Sequence, residues 1–344
     1  MFLEKYRNAY APKTVWPKWI NDNEKCLGDK CKFCFETCPT GTIKWDLTAD
    51  RPYIRGIGGF EKACLNCYNC IAVCPTQSIT MSGEYRVLKG RYKTVKDVTL
   101  KPPTPLKDKP FPFKEIEKEL TEVERVVYKR RSNRIFKDKP VSEELLYRIL
   151  EAGRYAPTAG NNLPFTFIVV TNRNLIRELE VKSMKILRLF KKMYLNPNFI
   201  KRIMVTISSY FMLNEWDQRP FFPLEKSEER DDNLFYGAPA VILVLIDRRG
   251  ISNPWLDAGI CAQNMILVAH SLGLGTCYNG YAATALKYLP GMRKRFGIEY
   301  PWKVATTIAV GYARVKTDKA VARETVPVKW FNDNSVTKDE KENL

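Results

Sequence analysis

Four closely spaced cysteines, the last followed by a proline, lie in the N-terminal quarter of this 344-residue chain and limit the folds that it can adopt. Residues 64–75 read CLNCYNCIAVCP, which gives the spacing Cys-x-x-Cys-x-x-Cys-x-x-x-Cys-Pro. Thiolates at this spacing hold iron–sulfur clusters, because the first three bind one cluster and the fourth reaches a second. The run therefore predicts a companion run elsewhere in the chain.

A companion run lies upstream. Its members are Cys26, Cys31, Cys34 and Cys38, followed by Pro39. Two extra residues separate its first and second cysteines, so the conformation of residues 27–30 is not predicted by the pattern. The two runs together use eight of the ten cysteines.

Two other interpretations of the cysteines are weaker. A zinc ribbon uses two cysteine pairs, and would leave two triplets and two Cys-Pro steps unexplained. Disulfides form in oxidising compartments, yet the first 25 residues contain no apolar signal-peptide core. We therefore expect a cytoplasmic protein whose thiols bind clusters.

Residues 20–80 resemble the bacterial two-cluster ferredoxins. This resemblance implies two [4Fe–4S] clusters with crossed ligands. The first cysteine set would be Cys26, Cys31, Cys34 and Cys74, and the second cysteine set would be Cys38, Cys64, Cys67 and Cys70.

The charge of the chain limits its partners. The formal net charge is +18, and residues 1–113 hold 19 basic against 11 acidic side chains, so most of the excess follows residue 113. A basic surface can attract an acidic redox protein, an anionic substrate or a membrane surface. No nucleic-acid-binding motif accompanies the charge, so we expect no nucleic-acid partner. The single histidine, His270, is expected to pack near a helix end.

The composition divides the chain into two folding units. Residues 101–113 read KPPTPLKDKPFPF, and their five prolines favour a semi-rigid extended linker. The expected division is a ferredoxin-like domain with an N-terminal arm at 1–90, a linker at 91–113, a second domain at 114–334 and a charged tail at 335–344.

The second domain shows helix and strand signals in turn. The apolar spacing predicts a helix over residues 115–129, and Ser142 is the expected N-cap of the next helix. Residues 165–170 and the apolar run 238–246 are expected strands, the latter buried and too short to span a membrane.

Five motifs in the order RRSNRIF, APTAGNNLPF, YGAPAVILVLID, DAGICAQNMILVAHSLGLGTCYNGY and TTIAVGYAR resemble the nitroreductase family of flavoenzymes. The resemblance covers residues 115–330. It implies an α+β fold with a mixed sheet surrounded by helices, an obligate homodimer, and FMN in the groove between subunits. It also implies a variable lid over residues 174–235, for which Tyr210, Phe211, Trp216, Phe221 and Phe222 are candidates to stack on the flavin.

Residue chemistry agrees with a flavin site. Arg130, Arg131 and Arg134 with the Ser132 hydroxyl can supply charge-assisted donors to a phosphate dianion, although basic residues also suit a solvated helix end. By resemblance, further flavin contacts fall at Pro157, Thr158, Ala159, Asn161, Asn279 and Gly280. Family members frequently carry an acidic residue where Asn279 stands. Either Arg314 or Arg323 is expected to add a phosphate contact.

A two-cluster ferredoxin joined to an FMN domain predicts an oxidoreductase. Electrons would pass from a ferredoxin or flavodoxin through the clusters to FMN, and then to an electron-poor organic acceptor such as a nitro compound, quinone or activated alkene. Two alternatives remain: an electron-transfer module of a larger redox complex, and an NAD(P)H-driven flavin domain that sends electrons out through the clusters. The sequence assigns no catalytic residue.

Overall fold

The computed structural model describes residues 18–54, 64–65, 67–82, 100–101, 113–195, 221–251, 253–316 and 319–324. The expected N-terminal arm, most of the linker, the charged tail and the lid aromatics Tyr210, Phe211 and Trp216 lie outside these residues. Within the described residues, no helix combines the length and the apolar character needed to cross a membrane.

The N-terminal part consists of two small antiparallel sheets and two short helices. Its elements are β1 (Lys18–Asn21), α1 (Phe33–Thr37), β2 (Ile43–Asp46), β3 (Arg51–Ile54), α2 (Asn69–Val73) and β4 (Ile79–Ser82). Strand β1 pairs with β4, and β2 pairs with β3, each antiparallel. Strands β2 and β3 lie between the two cysteine runs, and β4 follows the second run.

The helices α1 and α2 are equivalent halves of this part. Each begins after a residue with left-handed backbone, Lys32 with φ 51° and Tyr68 with φ 56°. Each ends at an extended cysteine, Cys38 or Cys74, immediately before a proline. A proline cannot continue a helix, so the backbone turns at the equivalent point after each of the two helices.

A four-stranded antiparallel sheet forms the centre of the C-terminal part. Its order is β6 (Phe165–Val170), β7 (Ala240–Asp247), β9 (Trp302–Gly311) and β8 (Gly275–Tyr278). These four strands pair antiparallel throughout. Parallel pairing occurs only in the isolated bridge between Ser132 and Thr276 at the β8 edge, among the residues the structure describes.

Helices cover both faces of the sheet because β7 is buried on both. Val241, Leu243 and Leu245 face one apolar core, and Ile242 and Val244 face the other. Side chains from α6 (Arg173–Leu195), α7 (Phe221–Glu228), α9 (Gly280–Leu286) and α10 (Pro290–Arg295) fill the first core. Those of α5 (Glu143–Arg154) and α8 (Pro254–Ser271) fill the second. His270 is in the last turn of α8, as predicted.

The helix expected over residues 115–129 is interrupted. The structure has α3 (Phe113–Ile116), a 3-10 turn (Glu117–Glu119) and α4 (Glu122–Lys129). Thr121 adopts an extended conformation and caps α4, since its hydroxyl accepts from the Glu124 N–H and the Glu124 carboxylate accepts from the Thr121 N–H. This reciprocal cap starts a new helix and outweighs the continuous apolar spacing.

Much of the expected lid region belongs to the core instead. Helix α6 spans 23 residues, and its Leu179 and Met184 are fully buried. Leu224 of α7, together with Leu234 and Phe235, also lies in the first core. Strand β5 (Leu100–Lys101) pairs with β10 (Arg323–Glu324), which joins the start of the linker to the C-terminal segment.

Candidate functional site

The first cysteine set surrounds one cavity. Cys26, Cys31, Cys34 and Cys74 line a recess of about 300 Å³, counting the space at its mouth, together with Trp45, Pro52 and Ile79. The fourth cysteine comes from the other run, as the crossed pattern predicts. Among the described residues no three His, Cys, Asp or Glu side chains can share a single metal ion.

The two extra residues of the first run form a 3-10 turn at Gly28–Lys30. The Asp29 N–H donates to the Asp50 carboxylate at 2.9 Å, which fixes the turn against β3. Gly28 has φ 61°, and a Cβ there would lie 2.4 Å from Asp50 Oδ2. Glycine is required because no larger residue fits this approach.

The second cysteine set surrounds the other cavity. Cys38, Cys64, Cys67 and Cys70 line a recess of about 420 Å³, together with Trp19, Ile43, Tyr68 and Asn69. Cys38 reaches it from the first run. The structure therefore groups all eight cysteines as two crossed sets of four.

The protein environment opposes free thiolates at Cys31, Cys34 and Cys70. Burial raises the pKa of the Cys34 thiol to about 12, with Cys31, Cys26 and Cys74 adding repulsion. Burial likewise raises the pKa of Cys70, beside Cys67, Cys38 and Cys64. Burial also disfavours the Cys74 thiolate, but hydrogen bonds from Ser78, at 3.2 Å, and from Thr76 outweigh it and lower the pKa. Cations of an iron–sulfur cluster would stabilise thiolates in such sites.

Three arginines meet beside strand β8. Arg130 and Arg134 flank the Ser132–Thr276 bridge, and Arg323 acts on the Arg130 charge from β10. We call Arg130, Arg134 and Arg323 the arginine site. Burial lowers the pKa of Arg130, and the nearby positive charge of Arg323 lowers it further. No carboxylate of the described residues is among the main charges acting on Arg130 or Arg134.

Arg134 has unused hydrogen-bonding capacity. Its Nε and Nη1 atoms are buried with no hydrogen-bond partner in the described structure. Burial disfavours the Arg134 charge, but Cys277, Tyr236 and Cys67 outweigh that effect and raise its pKa. A buried guanidinium with orphaned donors is costly unless a ligand accepts from it. The arginine site therefore suits an anionic or polar ligand.

Arg131 faces the cysteine cavities instead. Its Nε and Nη2 donate to Asn69 Oδ1, both at 3.2 Å, and Nη2 also donates to the Cys67 carbonyl. Asn69 Nδ2 donates to the Ser132 carbonyl at 2.7 Å. Arg131 is expected from the sequence to contact a phosphate. In the structure its guanidinium instead joins the N-terminal part to the C-terminal part.

The two arginines offered for the C-terminal phosphate contact are separated. Arg314 forms an ion pair with Glu36 and lies over the Phe33 ring. Arg323 lies near enough to Arg130 and Arg131 to affect both charges. Lys319, between them in sequence, donates to the Cys74 carbonyl at 2.8 Å.

Asn279 is buried and forms hydrogen bonds within the protein. It is 2% exposed and caps α9, because its Oδ1 accepts from the N–H groups of Tyr281 and Ala282. Its Nδ2 donates to the Leu234 carbonyl. Gly280 follows as the exposed first residue of α9. An acidic side chain could not donate to Leu234, which gives a physical reason for asparagine here.

The expected contacts at residues 157–161 lie far from the arginine site within one chain. This loop leads into β6, and a Cβ on Gly160 would be 3.5 Å from Ile251 Cδ1. Strand β6 and the Ser132 segment lie at opposite edges of the sheet. Four inter-strand spacings of about 4.8 Å place them about 19 Å apart across the sheet. Pro157, Thr158, Ala159 and Asn161 therefore do not join the arginines in the same chain.

Sequence reasoning missed three neighbours of the arginine site. Asn69 stands between cluster cysteines, where no pattern marks it. Tyr236 lies beside Arg134 and has φ 60°, an unusual backbone angle for tyrosine. Cys277 is buried and accepts a hydrogen bond from Ser132.

Known protein families match both parts of the chain. The Nitroreductase family matches residues 127–312, which are 186 of the 344 residues. The chain belongs to the nitroreductase family and is an oxidoreductase. A 4Fe-4S dicluster domain matches residues 18–82.

The relatives named here match this nitroreductase in part. An Archaeoglobus fulgidus protein with the provisional name NADH dehydrogenase/NAD(P)H nitroreductase is 24% identical over 198 residues, covering 56% of this chain and 87% of its own. The 4-nitrobenzoate reductase of Pseudomonas putida is 26% identical over 166 residues, and the match covers 44% of this chain and 69% of the reductase. A Desulfitobacterium hafniense nitroreductase structure with bound FMN has 28% identity and a TM-score of 0.44, covering 57% and 91%.

Proposed function

We propose that this protein is a cytoplasmic, FMN-dependent oxidoreductase that carries electrons through two [4Fe–4S] clusters. The electrons come from a ferredoxin or flavodoxin and pass to an electron-poor organic acceptor. The acceptor class includes nitro compounds, quinones and activated alkenes, and the name of the 4-nitrobenzoate reductase relative supports nitroaromatics within it.

Two clusters fit the cysteine sets. Each set supplies four thiols around one cavity, and each [4Fe–4S] cluster takes four cysteines. The ligands of one cluster are Cys26, Cys31, Cys34 and Cys74, and those of the other are Cys38, Cys64, Cys67 and Cys70. Bound clusters supply one-electron chemistry at these positions.

FMN fits the arginine site. Its phosphate is a dianion that Arg130 and Arg323 can bind, with Ser132, and the orphaned donors of Arg134 suit its polar atoms. When bound, FMN supplies the two-electron chemistry. Arg130 and Arg323 would hold the anion, and Asn279 fixes the start of α9 by capping it and donating to the Leu234 carbonyl.

A homodimer completes the site. Because residues 157–161 lie about 19 Å from the arginine site across the sheet, one flavin can contact both only if two copies of the chain meet. Ile251, Trp255 and Leu256 are 58%, 49% and 58% exposed beside that loop. Exposed apolar residues of this kind mark interaction surfaces.

One observation carries the proposal. The second cysteine set lies directly against the arginine site, since Asn69 and Arg131 bond Cys67 to the Ser132 segment. A cluster at that position would be next to the flavin phosphate site of the same chain. An electron path requires the cluster to be close to the flavin, and sites for both groups beside the Ser132 segment would bring them close.

A second candidate is electron flow in the opposite direction. The Archaeoglobus relative is named as an NAD(P)H nitroreductase, which favours a nicotinamide donor at the flavin. The clusters would then deliver electrons to another protein.

Anaerobic rapid mixing distinguishes the two directions. The protein is mixed with reduced ferredoxin, and separately with NADPH, while cluster and flavin absorbance are followed. We expect ferredoxin to reduce both groups within the same reaction, clusters first. Flavin reduction by NADPH that precedes cluster reduction, with no response to ferredoxin, would overturn the proposed direction.

A further inference from the structure

We propose that Asn69 and Arg131 position the second cluster for electron transfer to the flavin site of their own chain. This inference rests on the proposed function, because it assigns the route by which that function operates. Neither residue is a cysteine ligand, and neither is assigned to the flavin itself.

The contact is specific and dry. Asn69 is 2% exposed and Arg131 is 4% exposed. The Asn69 amide uses both ends, since Nδ2 donates to the Ser132 carbonyl at 2.7 Å and Oδ1 accepts from Arg131 at 3.2 Å. A buried hydrogen-bonded group of this kind fixes the relative position of the two parts it joins.

Asn69 lies between two cysteines of the second set, so its contact with Ser132 can carry electrons as well as hold the two parts of the chain together. Asn69 starts α2 between Cys67 and Cys70, both of the second set. On the other side, Ser132 pairs with Thr276, next to Cys277 and near Arg134. Four hydrogen bonds therefore connect Cys67 and Asn69, at the cysteine cavity, to Arg131 and Ser132, beside the arginine site.

Arg131 adds charge to this geometry. Its guanidinium donates to the Cys67 carbonyl, and no described carboxylate is among the main charges acting on it. Reduction adds one negative charge to a cluster, so a buried cation at Cys67 stabilises the reduced state. Arg131 is thus expected to raise the potential of the second cluster.

The electron count sets the number of transfers, and the positions of the two cysteine sets set their order. Each transfer oxidises one reduced cluster by one electron, so two transfers are needed for each two-electron reduction, with protons drawn from solvent. The first cysteine set lies against Lys319 and the Glu36 ion pair rather than against the arginine site. A cluster at the first cysteine set would therefore accept electrons from the donor and transfer them to the second cluster.

Four single variants separate position from charge. Asn69→Ala removes the bridge and keeps every charge. Arg131→Lys keeps the charge and loses the forked geometry, and Arg131→Met loses both. Lys44→Met is the control, because Lys44 bonds Glu229 at 3.3 Å between the same two parts of the chain, away from the arginine site.

Two readouts are used on full-length protein. Intramolecular transfer is measured after flash photoreduction of the clusters, as a rate independent of protein concentration. The potentials of the clusters are measured by EPR titration of flavin-free protein, which requires no turnover. Iron and FMN content are determined for every variant.

We expect Asn69→Ala and Arg131→Lys to slow transfer at least about tenfold with iron and FMN retained, since small displacements have large effects on rate. Arg131→Met should also lower the potential of one cluster, whereas Lys44→Met should match the wild type. Wild-type rates in Asn69→Ala and Arg131→Lys would overturn the inference alone. Absence of transfer in the wild type would overturn the proposed function as well.

Discussion

Arg134 is the single residue whose environment most requires a ligand. Its Nε and Nη1 are buried without partners, and its neighbours are Cys277, Tyr236 and Cys67. Leaving such donors unsatisfied costs about 1–3 kcal/mol. An acceptor on a bound flavin would remove that cost, and this is why the arginine site is assigned to FMN.

Replacing Arg130 and Arg134 together by alanine should release FMN. Each charge-assisted hydrogen bond contributes about 1.5–3 kcal/mol, so FMN affinity should fall about a hundredfold or more. Iron content should stay unchanged, because neither arginine belongs to the two cysteine sets that are proposed to bind the clusters. Flavin and iron are measured on the purified protein.

The matched control replaces Arg249 and Arg295, which pair with Asp247 and Glu178 on the surface. It removes the same charge from the protein and should retain FMN. Stoichiometric FMN in the Arg130/Arg134 variant would contradict the phosphate assignment.

Residue identities predicted part of the site. The cysteine spacing predicted cluster binding, and the resemblance to two-cluster ferredoxins that it carries implied the two crossed sets. Arg131 and Asn69 could not be predicted in the same way. Their roles depend on how two separately folded parts meet, and no local pattern encodes that contact.

At the scale of elements, the two Cys-Pro turns determine which cavity each fourth cysteine enters. Helices α1 and α2 lie against each other, and each ends in a cysteine that lines the other run's cavity. The crossing is therefore a consequence of helix packing. It makes the two clusters structurally interdependent.

Cys38→Ala and Cys74→Ala should remove different clusters. Each variant should lose about half of its iron, because each removes one of four ligands from one cluster. The shift of potential caused by Arg131→Met identifies the cluster that remains. We expect that shift to persist with Cys74→Ala and to disappear with Cys38→Ala, as measured by EPR titration. The reverse pattern would contradict the crossed ligands.

Elements were predictable where one signal acted alone. Strand β6 matches the expected residues 165–170, and Ser142 caps α5 as expected. The break between α3 and α4 was missed because Thr121 competes with a continuous apolar stripe. In the structure Ile116 and Leu120 are buried, while Val123 is 69% exposed.

At the scale of the whole molecule, the chain brings the two cysteine sets together but separates the two segments that are proposed to contact the flavin. Contacts between the N-terminal and C-terminal parts occur at Asn69, Glu36 and Cys74. The loop at 157–161 lies at the other edge of the sheet. The proposed dimer therefore supplies the flavin pocket, and each chain supplies its own electron route.

Mixed dimers test this route most directly. One chain carries Cys38→Ala and Cys67→Ala, which remove the second cluster and leave its arginine site intact. The other chain carries Arg130→Ala and Arg134→Ala, which remove FMN and leave its clusters intact. Different affinity tags isolate the mixed dimer, and flavin reduction by reduced ferredoxin is measured. The account predicts a rate no higher than that of the cluster-deficient homodimer. Recovery to about half the wild-type rate would contradict it, because electrons would then be crossing between subunits.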